Sequence, residues 1–206
     1  MTEIKTNHDM QRWLKNGLAA LAIAGLYSII LVILRTPQLS HLFTDKSIFK
    51  AALVIHVNLS VLVWLLSITA MSWSLNKLKT GFESVYSILA ILGMVFMALS
   101  PLYPESTPIM NNYVPMLENI IFIIGLSLFG VGVLCFAIQV VFTSFMQMTN
   151  GYSGRLIAIT NFTTSLMFIF VWCCFFLSYN ELNSLADIVP LDLDFYYEML
   201  YWSGGH

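Results

Sequence analysis

The sequence has 206 residues, of which 58% are hydrophobic and 10% are charged, and its formal net charge is −2. Soluble domains carry about 25% charged residues, so this chain has too few polar side chains to cover a surface in water. The small net charge and the lack of a basic run argue against a nucleic-acid partner. We therefore expect a lipid bilayer to be the environment of the chain.

The apolar segments are long and unbroken, unlike the alternating segments of about ten residues that form membrane β-barrels. Helices satisfy their backbone groups internally, as a bilayer demands. The sequence therefore predicts an all-α, polytopic membrane helix bundle that forms a single domain over residues 1–206. Five complete spans and the start of a sixth are expected at about 14–34, 49–75, 83–103, 116–145, 155–178 and, in part, 193–206.

The first span follows a polar segment, residues 1–13. Its apolar run of about 20 residues is too long for the core of a signal peptide, which favours a membrane anchor. Ala20, Ala24 and Ser28 recur every four residues and form a stripe of small side chains. Such a stripe is typical of helices that pack closely in membranes.

The second span carries a histidine, His56, inside its apolar run. An ionisable side chain is costly in a membrane and usually faces the bundle interior, a cavity or a ligand. Neutral imidazole is also a common axial ligand of heme iron. The alternative is a histidine that is hydrogen-bonded to a neighbouring helix. In a regular helix a narrow face, against which a flat macrocycle could lie, is shared by His56, Ser60, Val63 and Ser67.

The middle of the chain offers fewer candidates. The loop after the third span contains four prolines and no lysine or arginine, which predicts irregular structure. The polar run from Thr160 to Thr164 is explained by hydrogen bonds between helices. Three cysteines lie in apolar runs without a CxxC spacing and are interpreted as buried structural thiols: Cys135, Cys173 and Cys174.

The last segment, Leu193 to His206, would rise only about 20 Å as a helix and cannot cross a core of about 30 Å. We interpret it as the start of a sixth span. His206 follows two glycines and is either a metal ligand or a terminal histidine beside an aromatic interface belt. Glu198 is either a proton-relay carboxylate or an acid at the membrane interface.

Basic residues predict the orientation, because they concentrate on the cytoplasmic side. Six lie on one side of the predicted bundle and three on the other, so the amino terminus is expected in the cytoplasm. The second and sixth segments then both run inward, and place His56 about 10 Å and His206 about 16–20 Å below the outer surface. The first set is Lys5, Arg12, Lys15, Lys77, Lys79 and Arg155, and the second is Arg35, Lys46 and Lys50.

Two stretches, ALVIHVNLSVLVWLL and the terminal YYEMLYWSGGH, resemble parts of heme-copper oxidase subunit I (cytochrome c oxidase subunit I-like proteins), most closely its divergent bacterial members. In that family the second membrane helix carries a histidine that ligates the low-spin heme. The sixth carries an aromatic W-x-G-H type run whose histidine ligates copper. The resemblance implies that His56 is an axial ligand of heme iron and that His206 is a copper ligand.

The resemblance covers the whole chain but only the amino-terminal half of a family member. The His-His pair of the seventh helix and the H-x-H of the tenth are absent, so no catalytic residue is assigned and a second polypeptide would be needed for activity. The implied role is part of a terminal oxidase of aerobic respiration in the bacterial inner membrane. Such an oxidoreductase, with heme, copper and further subunits, passes electrons from a donor such as cytochrome c to O2. The alternatives are a non-enzymatic scaffold or remnant, and a b-type heme carrier.

Overall fold

The computed structural model describes residues 8–39, 47–75, 81–103, 106–149 and 154–205. Within these ranges the chain forms six helices and one small sheet. The helices are α1 (His8–Arg35), α2 (Ser47–Trp73), α3 (Glu83–Leu99), α4 (Ile120–Thr149), α5 (Arg155–Ala186) and α6 (Leu193–Gly205), and the strands are β1 (Thr107–Ile109) and β2 (Met116–Glu118).

Helices α1 to α5 are each long and apolar enough to cross a membrane, α3 together with the short 3-10 turn that ends at Leu102. The predicted all-α membrane bundle is therefore confirmed. Helix α6 has 13 residues and rises only about 20 Å, which is too short to cross a core of about 30 Å.

The predicted start of the fourth span is wrong. Residues Met116–Glu118 form β2, and α4 begins only at Ile120. Asn119 sets this start, because its side-chain Oδ1 accepts a hydrogen bond from the amide of Phe122 at 2.7 Å, the pattern of a helix N-cap. The fifth span also differs, since α5 continues to Ala186.

The proline-containing loop holds an antiparallel hairpin that the sequence did not predict. Ile109 lies opposite Met116 in its register. The turn is closed by Asn111, whose Oδ1 accepts from the amide of Val114 at 2.8 Å. Asn58 of α2 donates from Nδ2 to the carbonyl of Pro115 at 2.7 Å, which fixes the hairpin to the bundle. We call this end of the bundle the hairpin end.

Helices α3 and α4 form the closest pair in the bundle. A Cβ at Gly93 would collide with the backbone of Phe129, and one at Gly125 would lie 2.7 Å from the backbone nitrogen of Met97. The two glycines therefore allow the helix backbones to approach, which favours van der Waals packing in lipid.

The end opposite the hairpin is closed by aromatic side chains. Trp13 stacks on Phe136 with ring centroids 5.6 Å apart, and Trp73 meets the same ring edge-on at 5.9 Å. The Trp73 indole donates to Thr164 Oγ1 at 2.9 Å, an interhelical bond of the kind predicted for this polar run, whereas Thr160 and Thr163 donate to carbonyls of their own helix. These contacts connect α1, α2, α4 and α5.

The small-residue stripe of α1 also behaves as predicted for its first members. Ala20 and Ala24 are buried. The cysteines do not follow their prediction: Cys173 is exposed, and Cys135 and Cys174 are only half-buried. These three side chains are free thiols. They lie on α4 and α5, and part of the surface of these two helices faces lipid.

Candidate heme-ligand site

His56 is half-buried on α2 and contacts α1. Its Nδ1 lies 2.9 Å from the carbonyl oxygen of Ala24. A carbonyl can only accept, so Nδ1 must carry the proton and donate this hydrogen bond. In the neutral ring Nε2 then keeps a lone pair, and it has no hydrogen-bond partner among the described residues. This tautomer suits a histidine that binds a metal through Nε2.

The backbone next to His56 departs from a regular α-helix. Residues Asn58–Val63 form a π-helical segment, a feature often found at functional sites. Ser60 donates from its hydroxyl to the carbonyl of His56 at 2.6 Å, and Asn58 donates to the carbonyl of Val54 at 2.9 Å. Two side chains thus support the turn that holds the imidazole. Serine and asparagine side chains can donate to carbonyls one turn earlier in a helix, and this ability of Ser60 and Asn58 is the signal that the sequence analysis did not use.

The face that was predicted to receive a macrocycle is covered by α1. Besides the contact of His56 with Ala24, Ser67 accepts a hydrogen bond from Asn16 of α1 at 3.0 Å. Val63, between them, is fully buried. This face does not offer an open cleft, so a flat ligand could approach His56 only from its exposed side.

A small groove does lie beside the site. It begins one turn from the His56–Ala24 hydrogen bond, runs between α1 and α2 toward the hairpin end, and has a volume of about 150 Å³. The guanidinium of Arg35 lies over the ring of Phe49 at 4.7 Å from the ring centroid. Ligand pockets usually enclose about 300–1,000 Å³. The tautomer of the imidazole is compatible with heme ligation. The groove, however, is too small to enclose a porphyrin, so a second wall would be required. The groove is lined by Ser28, Leu31, Val32, Arg35, Phe49 and Leu53.

His206 lies outside the described residues, as does His41, so the predicted copper ligand is not placed. His8 is exposed at the start of α1. In the described part of the chain no three His, Cys, Asp or Glu side chains cluster in a way that could hold a metal. His56 thus stands without further metal ligands from these ranges.

Glu198 is placed at the hairpin end. Its carboxylate accepts hydrogen bonds from the backbone amide of Asn112 at 2.8 Å and from the Asn112 side chain at 2.7 Å. The carboxylate therefore fastens α6 to the hairpin turn, which favours the interfacial interpretation over a proton relay.

A second, larger cavity lies apart from His56. It has a volume of about 730 Å³ and lies between α2, α4, α5 and α6. Gly204 and Gly205 contribute to its wall, but none of the predicted ligands within the described ranges does. Sequence reasoning missed it because its walls come from helices that are distant in the chain.

Two relatives resemble this chain. An uncharacterized protein of Rickettsia prowazekii (strain Madrid E), RP382, is 44% identical over 221 aligned residues, which cover 94% of this chain and 42% of the relative. An uncharacterized protein of Aquifex aeolicus (strain VF5) is 32% identical over 102 residues, or 49% of this chain and 26% of the relative. The chain therefore spans less than half the length of these curated relatives. No protein-family model and no solved structure matches it.

Proposed function

We propose that this chain is the heme-binding part of a membrane oxidoreductase that resembles heme-copper oxidase subunit I, with His56 as an axial ligand of a low-spin heme. The observation that carries the proposal is the hydrogen bond from His56 Nδ1–H to the Ala24 carbonyl. Ligating histidines commonly donate their other ring N–H to such an acceptor, which fixes the tautomer and raises the basicity of the ligand.

The residues around His56 would orient the ligand. The Ala24 carbonyl sets the ring orientation, and Ser60 and Asn58 hold the turn below it. A bound heme would supply one-electron transfer, with a potential set by its axial ligands, burial and nearby hydrogen bonds. The role of this chain is thus to hold the iron in place and to tune it.

The chain is proposed to need a second polypeptide. His56 supplies one axial position, the groove beside it is small, and more than half of the Rickettsia relative lies outside the aligned region. In this proposal the completing part brings the second heme ligand and the copper ligands that join His206. Electrons would pass from a donor such as cytochrome c to O2, together with other oxidase subunits. The amino terminus would lie in the cytoplasm and the complex in the bacterial inner membrane.

The test is purification of the tagged full chain, with whatever co-purifies, from membranes of its own organism. A reduced-minus-oxidised spectrum should show a low-spin heme that His56→Ala abolishes and His8→Ala, at an exposed histidine, leaves intact. Metal analysis should find copper, together with a co-purifying chain that carries further histidines. A folded, colourless and metal-free chain without a partner would contradict the proposal.

Two observations favour a second candidate, a non-enzymatic membrane scaffold. His56 already has a hydrogen bond to a neighbouring helix, and the Gly93–Gly125 contact shows packing of the kind that a scaffold needs. The scaffold predicts no pigment and an unchanged assembly in His56→Ala. A b-type heme carrier would instead show a bis-histidine heme from this chain alone, without copper.

A further inference from the structure

The small groove between α1 and α2 has a basic mouth. Arg35 is the last residue of α1, and Lys50 lies in the first turn of α2, three residues before Leu53 of the groove wall and therefore on the same side of the helix. Both basic side chains are exposed, and neither has an ion-pair partner within the described ranges. The acidic side chains described at this end lie elsewhere, on β2, on α5 and α6 and in the turn between these helices: Glu118, Glu181, Asp187, Asp192, Asp194 and Glu198.

The guanidinium of Arg35 is held in an orientation that suits a planar contact. It lies over the ring of Phe49, 4.7 Å from the ring centroid, so the ring covers one of its faces. Its N–H groups point outward in the plane of the guanidinium and have no hydrogen-bond partner within the described ranges. Such a fork of donors matches two oxygens of a phosphate group. The ring therefore positions the fork and leaves its donors available.

Below this mouth the groove is apolar and open to lipid. Its wall on α1 follows one helix face, because Ser28, Val32 and Arg35 are spaced by four and three residues. Val32 is 64% exposed, so the groove is accessible from the side. Ser28 lies about 10 Å along α1 from Arg35, which is about two-thirds of the apolar thickness of one leaflet. The groove thus connects the polar boundary of the bilayer with the region of its acyl chains.

A phospholipid combines the two chemical parts that this groove requires, a phosphate above an apolar chain. Basic pockets between membrane helices are known binding sites for anionic head groups. A choline or ethanolamine head group would bring a further cation close to Arg35 and Lys50, and like charges repel each other. The charge of the mouth therefore favours a lipid whose head group is anionic.

We propose that this groove binds an anionic phospholipid. The phosphate oxygens accept hydrogen bonds from the Arg35 guanidinium and lie beside the Lys50 ammonium, while the upper part of one acyl chain lies between α1 and α2. The groove, with about 150 Å³, holds only part of the chain, so the rest of the lipid stays in the bilayer. The lipid thereby connects α1 to α2 at the hairpin end. This site does not require heme at His56, which is not among its lining residues.

The test compares lipid retention by the full chain, with whatever co-purifies, in nanodiscs that contain equal amounts of phosphatidylglycerol and phosphatidylcholine with identical acyl chains. After transfer into detergent, mass spectrometry of the lipids that stay bound should find phosphatidylglycerol enriched. Arg35→Gln and Lys50→Gln should each lower this enrichment about fivefold, because each removes one cation from the head-group site. Arg155→Gln removes an exposed arginine at the start of α5, outside the groove, and should leave the enrichment unchanged.

Two further comparisons separate the parts of the site. Arg35→Lys keeps the charge but loses the planar fork, so it should lower the enrichment by about twofold only. Ser28→Phe places a ring in the space of the acyl chain and should lower phosphatidylglycerol retention about fivefold. The matched control is Ile29→Phe, at a residue of the same helix that is 58% exposed and outside the groove, which should retain the lipid like the parent chain.

Two other anions are distinguished from the lipid. The carboxylates of a heme bound at His56 would compete for the same cations, so His56→Ala should leave the enrichment unchanged. Enrichment that appears only in His56→Ala would assign the basic mouth to heme and overturn the lipid site. Inorganic phosphate in the wash should not displace the lipid, and displacement would show that the mouth binds a free anion without using the groove. A colourless chain that still retains phosphatidylglycerol would contradict the proposed heme site alone.

Other outcomes would also overturn the proposal. These are equal retention of the two lipids by the parent chain, an equal loss in Arg155→Gln and Arg35→Gln, and a co-purifying polypeptide that cross-links to the groove in place of lipid. Circular dichroism and size-exclusion profiles of each variant must match the parent chain, so that a lost signal reports on the groove rather than on folding.

Discussion

Helices α3 and α4 are packed much more tightly than helices α5 and α6. In the central pair the backbones meet through Gly93 and Gly125. A cavity of about 730 Å³ lies beside the peripheral pair. Only 17% of the residues in the most apolar stretch of α5 are buried, whereas 39% are buried in the corresponding stretches of α3 and α4. Lipid tails are as apolar as leucine side chains, so helices in a membrane associate through close van der Waals packing rather than through the hydrophobic effect. The central pair has such packing within the chain, whereas the peripheral pair needs lipid or a further chain.

The largest effect should come from truncating the aromatic cluster that joins the central helices. Phe136→Ala removes a fully buried ring that contacts Trp13 and Trp73 and should cost about 3–5 kcal/mol of unfolding free energy. Phe170→Ala, at a ring on α5 that is 63% exposed, should cost about 0.5 kcal/mol or less. Reversible unfolding by SDS in bicelles measures both, and equal losses would remove the distinction between the two regions.

The helix contact itself can be broken at a glycine. Gly93→Leu forces side-chain atoms against the α4 backbone and should destabilise the bundle by about 3 kcal/mol. Gly25→Leu is the matched control, because a Cβ at Gly25 would meet nothing within 4 Å. In the same assay the unfolding free energy of Gly93→Leu should be much lower than that of Gly25→Leu. A neutral Gly93→Leu would show that the two backbones are not held in close contact.

A smaller effect would sharpen the description of the periphery. Glu198→Ala removes both acceptors of Asn112 and should weaken the attachment of α6 by about 1 kcal/mol. Hydrogen exchange should then accelerate about fivefold in α6 and in the turn at residues 111–113. Glu181→Ala, at an exposed carboxylate on α5, should leave both rates unchanged. Uniform acceleration along the whole chain would contradict a local attachment.

Composition and apolar length predicted the bundle and most of its spans, because a run of about 20 apolar residues meets the main demand of a bilayer. They did not predict where α4 begins, since Asn119 caps the helix only after β2 pairs with β1. That pairing joins residues on both sides of a turn and leaves no periodic signal in α4 itself.

The candidate site was predicted in part. His56 was evident as an imidazole in an apolar run, but its hydrogen bond to Ala24 depends on how α1 lies against α2. The π-helical segment after Asn58 also changes the angles on which a helical-wheel face depends. The large cavity arises only when four helices meet, so no local pattern could reveal it.

The central claim is that His56 binds heme iron through Nε2, and a ligand exchange tests it most directly. In His56→Met, measured in the full chain with its co-purifying partners, the low-spin heme should remain bound with a higher midpoint potential, because methionine in place of histidine raises the potential of a heme. The midpoint potential of the heme in His8→Met should equal that of the parent protein. A heme with the same spectrum and potential in His56→Met as in the parent would show that His56 is not the ligand.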